Sequence, residues 1–384
     1  MAPRVHCSWN TWMISVEIRA PDLAIVPYWD TLVRRASPNV FMHPAALCAA
    51  ASAGFAPIHM LLAWDAGELV GLWALRERRA APFLPAFLVA PPYDYAFVSS
   101  PVIDPASDVL PAFFDAIARE PALPNVIQLK LLDGDAATFA PMMAALDARH
   151  GQLLKLSERS RPFLGGETER KRSGSTGKKL RQDWNRLSAL GAVDIANERA
   201  AGDVRRAFEI FLELEARSWK GQNGTALLSD EHDAVFTRRL IGDLANHGNA
   251  SVALLRVDGR AIAAQVLLYS GTMAYTWKTA FDAEFAKYSP GALLIDKITD
   301  TLFAAGTREI ESCSPEGSFM EQLWTGRRTT VDMLADVGGH KSANFALAAA
   351  AARGYAFLRQ QRDRLRGTSW LPLPKRKSLA VTRS

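Results

Sequence analysis

The clearest regularity in the chain is a pattern written twice. Residues 60–75 read MLLAWDAGELVGLWAL and residues 252–269 read VALLRVDGRAIAAQVLLY. In each, an apolar run gives way to Asp and Gly and a second apolar run follows, which predicts a β-hairpin closed by a tight turn. Each copy lies upstream of a further strand and helix, so a duplicated α/β architecture is expected.

The second half resolves into more elements. Phe208, Phe211 and Leu212 recur at helical spacing and predict a helix from about Asp203 to Trp219, followed by the glycine-containing loop KGQNGTALL. Ser229 is read as the cap of the next helix, with Asp230 and Glu231 in its first turn and Gly248 at its end. Strands are expected at 251–257, 260–269 and 272–281, then a helix opened by Pro290, a strand REIESC, a helical FMEQLW and a strand TVDMLADV. Strands mixed with helices in this order predict an α/β (α+β) mixed sheet with helices packed on it.

Between the halves lies RSRPFLGGETERKRSGSTGKKLRQDWNRL. It begins as a linker and turns helical from Lys178, with Leu180, Trp184 and Leu187 on one face and basic residues on the others. That basic face reads either as solvated surface or as a phosphate-attracting one. HKSANFALAAAAARGYAFLRQQRDRLRG is read as an Ala-rich helix, and the final KRKSLAVTRS is expected to be a disordered tail.

Length and composition narrow the class. A chain of 384 residues suits two domains, and 49% hydrophobic with 22% charged residues is the profile of a globular protein with sizeable cores. No apolar run suggests a signal peptide or a membrane span, so a cytoplasmic address is expected. Cys7, Cys48 and Cys313 are odd in number and widely spaced, which favours reduced thiols over disulfides or zinc. The seven histidines lack ligand spacing, so no metal is expected, and a net charge of +5 mildly favours an anionic ligand. GxSxG, GxGxxG and GxxxxGK[ST] are absent, which leaves hydrolase, dinucleotide and P-loop readings without their minimal motifs.

Three places carry candidate chemistry. Glu215 falls in the middle of the apolar face formed by Phe208, Phe211, Leu212 and Trp219. An ionised group there must be paired or lie in a cleft, so it is either a structural ion pair or a general base. MAYTWKTAF is expected to put Met273, Tyr275, Trp277 and Phe281 on one face and Thr276 and Lys278 on the other. Lys278 is then a snorkelling lysine or an anion partner, Gln265 is polar in an apolar run, and Asp282 is a turn former or an acid. In YSPGALL, Ser289 and Pro290 open a helix whose small Gly291 and Ala292 either form an ordinary start or leave amides open to a phosphate.

The order of hairpin, strand, short polar loop and helix with a small-residue start resembles the core of the GNAT acyltransferases. EARSWKG, GTAL, YSPGALL and the late FMEQLW, in this order, resemble the CelD-like cellulose-biosynthesis group, relatives of the FemAB-type transferases with two GNAT-like units. The likeness covers about 178–337 and leaves the first half vague; the Gln/Arg-x-x-Gly-x-Gly/Ala loop of typical members is absent, with KYSPGA in its place. It implies tandem GNAT-like units of the acyl-CoA N-acyltransferase fold: a unit over 1–160, a basic linker over 161–178, the acyltransferase unit over 179–340, and a C-terminal helix and tail over 341–384.

The activity implied is transfer of an acyl group, acetyl above all, from acetyl-CoA or another acyl-CoA. The acceptor would be an amine or hydroxyl of a sugar, envelope or polysaccharide precursor or small molecule. Under it Glu215 is the candidate base, Asp282 the reserve and Tyr288 the acid. Gln265, Val266 and Leu267, whose strand would also supply oxyanion amides, join Lys278, Ser289, Gly291 and Ala292 on the donor side. Trp219, Lys220 and Thr225 line the acceptor side. One rival keeps the fold and takes aminoacyl-tRNA as donor, which would recruit the basic segment near 170–186; another is a non-catalytic binding scaffold. The first unit is expected to lack a donor site, because its nearest counterpart of YSPGALL is YAFVSSPVIDP, where Val102 and Ile103 follow Pro101.

Overall fold

A computed structural model describes residues 14–79, 81, 84–166, 169–170, 174–339 and 342–368, with side chains to 355. The basic tail KRKSLAVTRS and Cys7 lie outside the described residues. The first half runs β1 (Ser15–Arg19), α1 (Val26–Leu32), α2 (Pro44–Ser52), β2 (Ile58–Asp65), β3 (Glu68–Arg79), β4 (Ala86–Ala90), β5 (Val102–Ile103), α3 (Val109–Arg119), β6 (Val126–Asp133), α4 (Phe139–Ala148) and β7 (Leu153–Leu164). The second runs α5 (Gly174–Ser188), β8 (Val193–Glu198), α6 (Ala201–Arg217), α7 (Trp219–Gln222), α8 (Glu231–Asn246), β9 (Ala250–Val257), β10 (Arg260–Ser270), β11 (Met273–Phe281), α9 (Pro290–Ala304), β12 (Glu309–Glu311), β13 (Arg327–Asp336) and α10 (Ala343–Thr368).

The repeated pattern is a structural duplication. Hairpins β2–β3 and β9–β10 are both antiparallel and closed by two residues of positive φ, Ala66 and Gly67 in one and Asp258 and Gly259 in the other. That backbone matches the right-handed strand twist, which is why Gly stands second in both. The likeness continues into the strands that follow. β4 pairs in parallel with β6 as far as Ala90–Leu129, and β11 with β12 as far as Tyr275–Glu311. Two residues beyond each last pair stands a non-glycine residue of positive φ, Leu131 at 55° and Cys313 at 51°. Such residues are strained, and the same strain at matching places marks where each strand leaves its parallel partner.

One mixed sheet joins the halves in the order β1-β2-β3-β4-β6-β13-β7-β12-β11-β10-β9-β8, with β5 on β3. Its middle is exchanged: β13, from the second half, pairs with β6, whereas β7, from the first, pairs with β12 and with β13. β7 reaches Leu164 and α5 starts at Gly174, so regular structure enters from both sides the segment read as linker. In the second half α6 covers one face with Phe208, Phe211 and Leu212 against Val252, Leu254 and Val266. α9 covers the other, placing Leu293, Leu294 and Ile298 against Leu255, Ala263 and Leu267.

Several local expectations change. Asp230, not Ser229, caps α8, because its carboxylate accepts from the His232 and Asp233 amides. α6 stops at Arg217, so Trp219 starts a separate helix and is 57% exposed rather than sharing the buried face. Val102 and Ile103 form strand β5, and the next helix opens only at Val109.

Between the halves α2 packs on α8. The Nδ1 of buried His43 caps α2 by accepting from the Ala45 amide at 3.1 Å, while its Nε2 has no partner. Burial first, and His247 second, lower its pKa to about 3. Between about 3 and the ordinary 6.5 the unfolded chain binds a proton that the folded chain refuses, so stability rises with pH through this window and falls as pH drops. Urea unfolding is expected to show a loss of about 2 kcal/mol between pH 6.5 and 5 from this residue. His43→Asn, which keeps a cap acceptor, should flatten the slope; an unchanged slope would place the titration elsewhere.

Candidate active site

β11 carries a bulge. Val266 faces Lys278 and Leu268 faces Tyr275, so two residues of β10 span three of β11. The extra residue shifts side-chain parity. Lys278 therefore lies on the α6 face, the face of Met273 and Tyr275, and Phe281 packs on the α9 face, contrary to the strict alternation read from MAYTWKTAF. The bulge adjoins the point where β11 leaves β12 after Tyr275–Glu311. There Thr276 Oγ1 donates to the Ser312 carbonyl at 2.9 Å. The result is a notch between two parallel strands, with a lysine on its flank.

Glu215 faces the same place. It is fully buried near the C-terminus of α6, where the helix dipole disfavours a carboxylate. Three donors compensate: Lys220 Nζ at 2.9 Å and Lys278 Nζ at 3.7 Å from Oε1, and the Leu227 amide, which donates to Oε2 at 2.9 Å. Lys220 also donates to the Thr279 carbonyl at 3.2 Å. Its position depends on a tight fold-back: Ser218 Oγ donates to the Glu215 carbonyl and accepts from the Lys220 amide, and a Cβ at Gly221 would collide with the Ala216 carbonyl. The glycine of EARSWKG is thus required by backbone approach.

The first half completes the flank. The Trp277 indole donates to the Tyr95 carbonyl at 2.9 Å, the Lys278 ammonium stands 5.0 Å from the Tyr95 ring centroid, and Tyr95 OH donates to Asp233 of α8 at 2.5 Å. Burial, then Lys220, lowers the Lys278 pKa against the pull of Glu215. Burial and the Asp233 bond raise that of Tyr95, and burial raises that of Asp233. Neither Tyr95 nor Asp233 was identified from sequence; each belongs to a segment with an ordinary local pattern.

At the far end of β11, Ser289 has φ 51° and makes no side-chain cap. Its Oγ instead accepts from Lys179 of α5 at 2.6 Å, and Pro290 starts α9. A Cβ at Gly291 would lie 3.4 Å from Thr279 Cγ2 and 3.6 Å from Phe281, so this helix start rests against the notch strand on the side opposite Lys278. Ala292 follows, half-buried.

The remaining sequence candidates lie apart. Gln265, Val266 and Leu267 are fully buried in a strand flanked by β9 and β11, so their backbone serves the sheet; Gln265 bonds the Val266 carbonyl and the Thr279 hydroxyl. Beyond Tyr275 it is β11 that faces the notch, not β10. Asp282 caps the 3-10 turn 283–288 and pairs with Arg260 at 2.5 Å. Tyr288 is buried beside Phe285, with Arg186 over its ring. Thr225 is exposed and donates to the Lys220 carbonyl at 3.2 Å. Among the described residues no group of His, Cys, Asp and Glu is placed to hold a metal, and no helix is long and apolar enough to cross a membrane.

Residues 174–316 match the model of the acetyltransferase (GNAT) domain. No curated protein matches the chain in sequence. Among solved structures it resembles FemX (12% identity, 83% of this chain and 96% of that one, TM-score 0.55). It also resembles L-PGS from Bacillus licheniformis (13%, 87% and 97%, 0.52) and the C-terminal DUF2156 domain of an Agrobacterium fabrum protein (15%, 86% and 96%, 0.54). These likenesses concern the fold. The chain thus has a mixed α/β structure of the acyl-CoA N-acyltransferase type, is similar to the acetyltransferase (GNAT) domain over residues 174–316, and is an enzyme of the acyltransferase class.

Proposed function

We propose that the protein transfers an acyl group from a CoA thioester to an amine or hydroxyl acceptor in the notch between β11 and β12. The observation that carries this reading is the coincidence of three features on one strand. β11 parts from β12, bulges, and presents Lys278 on one face while the Gly291 start of α9 rests on the other. The thioester would lie along β11, its pyrophosphate toward the Gly291 and Ala292 amides, where a helix start favours negative charge. The acceptor would enter from the α6 and α8 side, past Trp219 and Lys220.

Lys278 is assigned the proton from the acceptor, since burial and Lys220 favour its neutral form. As the nucleophile's lone pair forms the new bond to the acyl carbon, the carbon–sulfur bond breaks and the thiolate leaves. Amides of β11 at the bulge are assigned to the oxyanion. Glu215 is assigned the task of holding both lysines at the notch. The CelD-like affinity, the division into two units near residue 160, a saccharide or envelope-precursor acceptor and an address in the cytoplasm belong to the same proposal.

Incubation with acetyl-CoA and a panel of amine and sugar acceptors, followed by thiol release and mass analysis of the acceptor, tests it. Gly291→Val adds methyls where a single Cβ already touches Thr279, so it should weaken CoA binding about 10-fold or more in calorimetry, with a melting shift of a few degrees at most. Unchanged affinity would return YSPGALL to an ordinary helix start. An aminoacyl-tRNA donor would instead reveal itself by RNA binding that falls steeply with salt.

A further inference from the structure

The basic helix α5 has no part in the chemistry above, yet it lies against the proposed donor path. Lys179, near its start, bonds Ser289 at the start of α9, and one turn further along the two helices enclose a groove of about 290 Å³. Leu180 and Leu293 form its floor, and Gly177 is buried there, so the helices approach closely. Half-buried Trp184 forms a wall, and the Lys297 ammonium stands 5.0 Å from its ring centroid. Exposed Arg181 stands on the rim. Arg170, whose side chain is almost entirely buried, pairs with Asp296 and Asp300, which also line the groove, and Arg181 and Lys297 add its further positive charge.

An apolar floor, an indole wall and two cations at the rim suit a planar base bearing phosphate. We infer that the α5–α9 groove binds the adenosine 3′-phosphate end of the CoA donor, with the base on Trp184 and phosphate on Arg181 and Lys297. This rests on the donor reading above. It gives the basic segment a ligand: α5 closes over α9 and extends the site beyond the helix start. The groove volume is of the order of one nucleoside monophosphate, and its place one turn from Gly291 allows a single ligand to span cradle and groove.

Calorimetric titration with CoA and with adenosine 3′,5′-bisphosphate tests it, on wild type, Trp184→Ala, the double variant Arg181→Gln/Lys297→Gln, and Gly291→Val, each checked to melt within a few degrees of wild type. The groove variants are expected to weaken both probes about 10-fold or more, from lost stacking or lost charge. Gly291→Val should weaken CoA more than the bisphosphate, because the bisphosphate keeps only the ribose-proximal phosphate of the donor's pyrophosphate. CoA binding that is normal in the groove variants overturns the inference and leaves the donor reading intact. Bisphosphate binding that the groove variants weaken, with no CoA binding, sustains the groove and removes the CoA donor. Loss of transfer RNA binding in the double variant, with CoA binding unaffected, makes α5 an RNA surface and overturns the inference.

Discussion

Glu215→Gln is expected to destabilise the protein by about 3 kcal/mol, the lower end for a buried pair broken on one side. Glu215 is fully buried, and the amide that replaces it can still accept from the Leu227 amide but cannot offset the charges of Lys220 and Lys278. The lower end applies because the lysine side chains remain 25% and 15% exposed, so water takes up part of the loss. Urea unfolding measures it. Adding Lys278→Met should recover part of the loss, since the two substitutions act on one network and are not additive. A Glu215→Gln protein as stable as wild type but slower about 100-fold would return the general-base role to the carboxylate.

Lys278→Met is expected to do the opposite. The substitution removes an ammonium whose burial already disfavours its charge, and Glu215 keeps Lys220 as partner, so stability should hold or rise. Turnover of acetyl-CoA with the acceptor found in the screen should fall about 100-fold or more, the usual contribution of a positioned base. The pH dependence gives an independent sign. A base acts when deprotonated, so the wild-type rate should rise with pH through the Lys278 pKa, which lies below its ordinary 10.5. Lys220 depresses that pKa, and Lys220→Met should therefore move the rising limb to higher pH. A limb that stays in place, or a Lys278→Met enzyme of normal rate, would remove Lys278 from the proton transfer. Because the stability and rate effects of the two substitutions have opposite patterns, one set of preparations separates the anchor from the base.

The resemblance distributed its candidate residues by a regular strand that the protein does not have. Gln265 and Lys278 were grouped on the donor side as polar members of neighbouring strands. The bulge at Thr276–Trp277 turns Lys278 toward α6 and leaves Gln265 buried between β9 and β11. A bulge costs the sequence only one extra residue and leaves the apolar pattern almost unchanged, so period-two reasoning passes over it. Glu215 and Lys220 were both singled out, the first for a charge on an apolar face and the second for its glycine loop. Their pairing depends on the Ser218 kink and the Gly221 fold-back, which only the path of the backbone reveals.

The sequence by itself determined what local physics dictates. The two hairpins follow from apolar runs around an Asp/Gly or Ala/Gly turn, the helices from their 3.6-residue stripes, the α9 start from Pro290, and the presence of an oddly placed carboxylate from its apolar neighbours. Tertiary structure alone decided the exchange of β7 and β13 between halves, the arrival of Tyr95 from the first half beside Lys278, and the packing of α5 along α9. Strand pairing between distant segments leaves no trace in either segment's own periodicity, because any strand offers the same row of N–H and C=O groups. Which strands meet, and therefore which side chains share the notch, is set by the summed burial of both halves.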